Sequence, residues 1–173
     1  VITGNYRNHQ ITVYDYSGEE FGYHTNYDIK FQNHQTVVFG IRKRSILVWT
    51  AYPEFVLGKK ERELYGSIHS ISTIDPEFDQ KFVIKGNKES VIRAILDPTI
   101  RTKIMGLESP NFTVGFFLSP RRMQDIFQRE FVTNMVEYVD SRSLSRTKQD
   151  AERFRSIIDD LIDIVEKIEA LPS

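Results

Sequence analysis

The pattern that most constrains this chain lies over 147–171. Phe154, Ile157, Ile158, Leu161, Val165 and Ile168 recur at spacings of three and four and trace one apolar stripe along a helix. Such a helix is stable only when its stripe is covered, so the rest of the chain has to supply an apolar surface of similar length. Thr147 with Asp150 resembles a capping box, with Asp where Glu or Gln is usual, and starts the helix.

That surface is written in the first half. Up to about residue 82 the chain is rich in Tyr, Phe, Val, Ile and Thr, in short runs broken by Gly and Asn, which is strand chemistry. Residues 11–16 alternate, with Ile11, Val13 and Asp15 on one face and Thr12, Tyr14 and Tyr16 on the other. Asn8-His9 suits a tight turn, so 4–7 and 10–16 form a first hairpin. Residues 27–31, 36–41 and 46–52 read as further strands, with Asn33-His34 and Arg42-Lys43-Arg44 at the bends. The unbroken runs Val37-Val38-Phe39 and Ile46-Leu47-Val48-Trp49 predict burial on both faces, and Pro53 ends the last strand because it cannot donate to a ladder. Between 54 and 74 the pattern weakens to a short strand at Phe55-Val56-Leu57 and one or two helical turns within 59–65.

From Asp75 the signals sharpen. Asp75-Pro76 is a cap followed by Pro and opens a single helical turn. Residues 81–85 alternate as a strand, and Asn87 then caps a helix whose apolar face is Val91, Ile92, Ile95 and Leu96. Asp97-Pro98 breaks that helix and caps the next, which carries Ile100, Ile104 and Leu107 and closes at Gly106. Residues 112–118 and 135–139 read as strands. Ser119-Pro120 opens a segment whose Met123, Ile126, Phe127 and Phe131 fit a helix, while a strand fits 120–132 nearly as well. The whole predicts a single α+β domain over 1–173, strand-rich over 1–85 and helix-rich over 86–173. Its curved antiparallel sheet comes from the first half and is packed against C-terminal helices.

Composition narrows the function classes. Of 173 residues, 40% are hydrophobic and 12% aromatic, enough to bury a core. The 23 basic and 24 acidic residues leave a net charge of -1, so nothing in the balance draws the chain to nucleic acid or to an anionic membrane. Cysteine is absent, which removes disulfides, thiolate metal sites and Cys nucleophiles. No apolar run reaches the ~18–20 residues that cross a bilayer. Val1 stands where a Met would start, and 2–6 already reads as folded chain, so the natural N-terminus is expected upstream, where a membrane anchor would lie.

No motif adds chemistry. His9, His24, His34 and His69 never fall at i, i+4, and a metal needs converging ligands. Asp75, Glu77 and Asp79 space like the start of a calcium loop, but that loop needs Gly and Glu where Gln80 and Gly86 stand. There is no nucleophile elbow, phosphate loop or dinucleotide fingerprint. The basic clusters Arg42-Lys43-Arg44 and Arg121-Arg122, with aromatics nearby, are the features that fit single-stranded nucleic acid, and each sits at an expected turn. Asn111-Phe112-Thr113 matches a glycosylation triplet. Catalytic, cofactor-binding and metal-ligating residues are therefore assigned to none, and no cofactor is called for.

Two stretches resemble a known family. Thr3-Gly4-Asn5-Tyr6-Arg7-Asn8-His9 with Ile11-Thr12-Val13-Tyr14-Asp15-Tyr16 is similar to the opening of uncharacterised bacterial and archaeal membrane-anchored proteins of unknown function, which typically begin with a Gly-x-Tyr-Arg-Gly hairpin. The more specific match is Asp75-Pro76-Glu77-Phe78-Asp79, a basic residue and Phe82, an apolar strand, then a helix ending near Asp97-Pro98. Asn8 stands where the family has Gly, and 120–132 is longer than the family's stretch. The resemblance implies a domain that follows one or two membrane-spanning helices and faces the cytoplasm. It carries over no catalytic residue.

These readings lead to a non-enzymatic protein-binding or scaffolding domain of a membrane-anchored protein, with a protein partner or a homodimer. Contact with the membrane would come only through a segment upstream of Val1. An enzyme acting on a small or envelope-derived substrate through gathered carboxylates and histidines is the alternative, and nucleic-acid binding through the basic turns the second.

Overall fold

The structure is a computed structural model and describes residues 1–18, 22–32, 34, 36–44, 63–107, 111–114, 134–140 and 148–172. The first hairpin joins β1 (Ile2–Tyr6) to β2 (His9–Gly18). Its turn is Arg7-Asn8, one residue earlier than the expected Asn8-His9. Both turn residues are left-handed, at φ 47° and 66°, as a two-residue turn matched to strand twist requires. Asn tolerates this conformation. Arg7 is held in it by its side chain, described below.

β2 continues into β3 (Gly22–Lys30), which is longer than the expected 27–31 because β2 offers it partners out to Gly18. β4 is Phe39–Lys43, displaced from the expected 36–41. Arg42 and Lys43, expected at a bend, are strand residues paired with Val83 and Phe82 of β6 (Phe82–Gly86). β5 (His69–Ile71) lies beside β6. The expected strands at 46–52 and 55–57 and the segment 120–132 fall outside the described residues, as do Arg121, Arg122 and Thr147.

All pairings are antiparallel, and the strands run β1-β2-β3-β8-β7-β4-β6-β5 in one open sheet. β7 (Asn111–Val114) and β8 (Met135–Asp140) are the strands expected near 112–118 and 135–139. They do not extend the sheet. They split the first-half strands and join β3 to β4 through the middle, so the sheet is not built from the first half alone.

The helices follow their local signals. Asp75 caps α1 (Pro76–Lys81) by accepting from the Glu77 and Phe78 amides. Asp97 caps α3 (Pro98–Gly106) through the Ile100 amide at 2.9 Å. The expected Asn87 cap of α2 (Glu89–Ile95) is not made; Lys88 holds that position and makes no side-chain bond to the helix's first amides. Asn87 instead accepts from the Val38 amide at 2.9 Å and donates to the Thr36 and Tyr65 carbonyls, so it serves tertiary closure rather than its own helix. Beside it, Gly86 has no room for a side chain: a Cβ would lie 2.7 Å from Phe39 Cβ and 2.9 Å from the Val38 carbonyl oxygen.

α4 (Lys148–Glu169) lies over β3, β8, α2 and α3 with its stripe buried from Ile157 to Ile168 and Phe154 half-buried. The stripe is wider than its sequence spacing suggested, since Ile162 and Ile164 are also buried. Register puts Ile11, Val13, Tyr27, Ile29, Val136 and Tyr138 on the sheet face beneath it. Tyr27 packs at 5.7 Å from both Tyr138 and Phe154, and burial pushes its hydroxyl up to about 12. This is the α+β arrangement expected, with the C-terminal helix closing its own sheet.

Candidate functional site

β1 is an outer strand of the sheet, and all five of its residues are exposed. In a two-residue hairpin the residues flanking the turn, Tyr6 and His9, exchange backbone bonds. Alternation then turns the backbone groups of Gly4 and Ile2 toward β2 and those of Thr3 and Asn5 outward. Among the described residues no strand pairs with that outer side, so β1 presents its donors and acceptors there.

Side chains of the hairpin tip clamp it to α4. The Tyr6 hydroxyl donates to Asp159 at 2.8 Å, and Arg7 donates to Asp163 at 2.7 Å and to Glu166. His9, buried at the start of β2, meets Glu169 at 3.0 Å, and Glu169 also accepts from the Gln32 amide at 2.9 Å. These acidic residues recur every three or four positions and make one ridge on the helix. Lys103 of α3 reaches the same ridge, 2.7 Å from Asp160 and 2.9 Å from Asp163. Burial pushes the Asp163 carboxyl up, but the bonds and charges of Lys103 and Arg7 outweigh it and leave the group below its usual range. Hydrogen bonding to Asp160 first, then to Asp163, raises Lys103 in return.

Between clamp and sheet edge the hairpin and helix do not close. Ile2, Gly4, Ile11 and Val13 from the strands face Phe154 and Ile158 from α4 across an apolar groove of about 400 Å3 that opens along β1. Ile2 is left 57% exposed at its mouth. The groove and the outer edge belong to one surface, and no sequence motif marks either.

Two further hollows among the described residues are committed to structure. One of about 620 Å3 is lined by Arg44, Ser72, Thr73 and Asp79. There Asp79 accepts from Ser72 Oγ at 2.6 Å, Thr73 Oγ1 at 2.8 Å and the Thr73 amide at 2.9 Å. With Asp75 capping α1 and Phe78 fully buried, the Asp-Pro-Glu-Phe-Asp run is explained as a fold element. A smaller hollow of about 170 Å3 holds Asp140 and Asp160, which bond Arg153 and Lys103.

On the sheet face away from α4, register brings Asp28 directly opposite Glu137, with Asn26 two residues along the same strand. All three are buried, and neither atom of the Asn26 amide has a hydrogen-bond partner. Sequence reasoning named no carboxylate pair because only register places these two together.

The histidines lie in separate elements. His9 binds Glu169, His34 sits 3.1 Å from Gln32 Oε1, His69 lies on β5, and His24 lies within β3. Among the described residues no group of three His, Asp or Glu could hold a metal ion. Arg44 donates to the Asp79 carbonyl, and Asn111-Phe112-Thr113 is an interior strand paired on both sides. Among the described residues no helix is long and apolar enough to cross a membrane. Comparison with family models, curated proteins and solved structures returns no match.

Proposed function

We propose that this chain is a non-enzymatic protein-binding or scaffolding domain of a membrane-anchored protein, and that it takes up an extended segment of its partner as a strand beside β1. The supporting observation is the union of a free strand edge with an apolar groove. Main-chain bonds to an edge supply affinity, and adjacent pockets for alternate side chains supply selectivity. Edges are usually blunted by Lys, Pro, bulges or shortness, and Ile2-Thr3-Gly4-Asn5-Tyr6 has no charged residue and no Pro. The clamp on α4 holds this edge in place before a partner arrives, which lowers the ordering cost of binding. The membrane-anchored parent and its cytoplasmic side rest on the family resemblance of the hairpin and of the Asp-Pro-Glu-Phe-Asp run.

Thr3→Pro tests the reading. It deletes an outward amide while leaving the bonds to β2 intact. Fluorescence anisotropy with labelled, end-blocked peptides of alternating Thr and Val should show saturable binding to the wild type and none to Thr3→Pro, at unchanged melting temperature. Equal binding by both proteins would sink the proposal. Sedimentation of the protein alone covers a homodimer: a dimer dissolved by Thr3→Pro would make a second copy the occupant.

A further inference from the structure

We infer that the segment taken up alternates apolar with polar residues and carries one large aliphatic or aromatic side chain opposite Gly4. This rests on the strand-addition reading and gives that site a partner chemistry.

Gly4 opposes Ile11, whose side chain is buried beneath α4, and residues opposed across antiparallel strands share a face. The missing side chain of Gly4 is therefore missing from the core side. Its neighbours on that side, Ile2 and Tyr6, are large. A Cβ built on Gly4 meets nothing within 4 Å, so the glycine is not required by close packing and its φ is not left-handed. What it leaves is an opening in the apolar row, over Phe154 and Ile158.

An added strand sends every second side chain to the same face, about 4.5–5.5 Å from the β1 residue it opposes. Only opposite Gly4 can such a side chain lean across the strand into the groove. A space of about 400 Å3 accepts a Phe or Leu side chain. Of the polar groups that line it, the Tyr6 hydroxyl is bonded to Asp159 and Arg155 is largely exposed, 4.0 Å from Asp159, so the remaining lining that an entering side chain meets is mostly apolar. On the other face the added residues would lie beside exposed Thr3 and Asn5, which calls for polar side chains there.

The test uses end-blocked, labelled peptides Thr-Val-Thr-X-Thr-Val-Thr with X as Phe, Leu or Ser, titrated into the wild-type chain and into Gly4→Leu. Burying one large apolar side chain should make Phe or Leu bind about 10- to 100-fold more tightly than Ser. Gly4→Leu fills the groove from the protein's own side and should erase that preference while retaining the weaker Ser-peptide binding. Methyl NMR of Ile158 gives a second reading: its signal should move with the Phe peptide and stay with the Ser peptide, which holds even if Gly4→Leu folds poorly. Binding without preference for X, or a preference that survives Gly4→Leu with an unmoved Ile158 signal, overturns the inference and leaves strand addition standing. Failure of every peptide to bind overturns both.

Discussion

The two outer strands of the sheet are treated in opposite ways. β5 is three residues long and runs straight into the Ser72–Asp79 hydrogen-bonded turn, with Ile71 and Thr73 buried and Phe78 anchoring α1 against Phe82 at 4.7 Å. β1 is five residues long, exposed throughout, and stands over an unfilled groove. Short, capped edges are how sheets avoid pairing with other chains. Among the described residues one edge here follows that practice and the other does not, and the proposed strand addition rests on that contrast.

The largest effect that would sharpen this contrast comes from the anchored side. Phe78→Ala should cost about 3–5 kcal/mol, because a fully buried ring leaves a cavity that its neighbours cannot fill. Ile2→Ala at the open edge should stay within about 0.5 kcal/mol, since Ile2 is 57% exposed. Urea unfolding of the two variants measures both, and similar costs would erase the distinction. Asp79→Ala should come next, at about 1–3 kcal/mol, because it strands the Thr73 amide and two hydroxyls. Amide exchange at Ile71 and Thr73 should then approach that of β1; unchanged protection would mean the turn does not guard the β5 edge.

The smallest effect is on the clamp. Asp163 and Asp97 both lie below the usual carboxylate range, Asp97 chiefly through its bond to Lys167 and then through the Ile100 amide. Folded carboxylates with lowered values hold protons less tightly than the unfolded chain does. Their stabilisation is therefore present above the ordinary value of about 4 and is lost as pH falls through the folded values. The urea midpoint should be flat from about pH 7 to 5 with respect to these groups and fall below about 4. Asp163→Asn should flatten that fall, and an identical profile would detach the clamp from stability.

Much of the fold was legible because its signals are local. The stripe on α4, the caps at Asp75 and Asp97 and the break at Pro98 depend on neighbours a few residues away. Asn87 misled for the converse reason: its cap-like position is overridden by partners near Val38, 49 residues away. Arg42-Lys43 read as a bend by charge, yet both are paired within the sheet. The candidate site was not legible at all. Gly4 carries no signal of its own, and nothing near it in the chain says that β1 is an outer strand or that Phe154 lies under it.

The sequence by itself determined the helices that follow Asp75 and Asp97, the C-terminal helix and the apolar side of its stripe, since period and capping act within a few residues. Tertiary structure alone decided the strand order: β7 and β8 enter the middle, β5 ends in a closed turn, and β1 is left outside with a gap at Gly4. Pairing and register are set by contacts between residues distant along the chain. An edge exists only by virtue of what is not placed beside it.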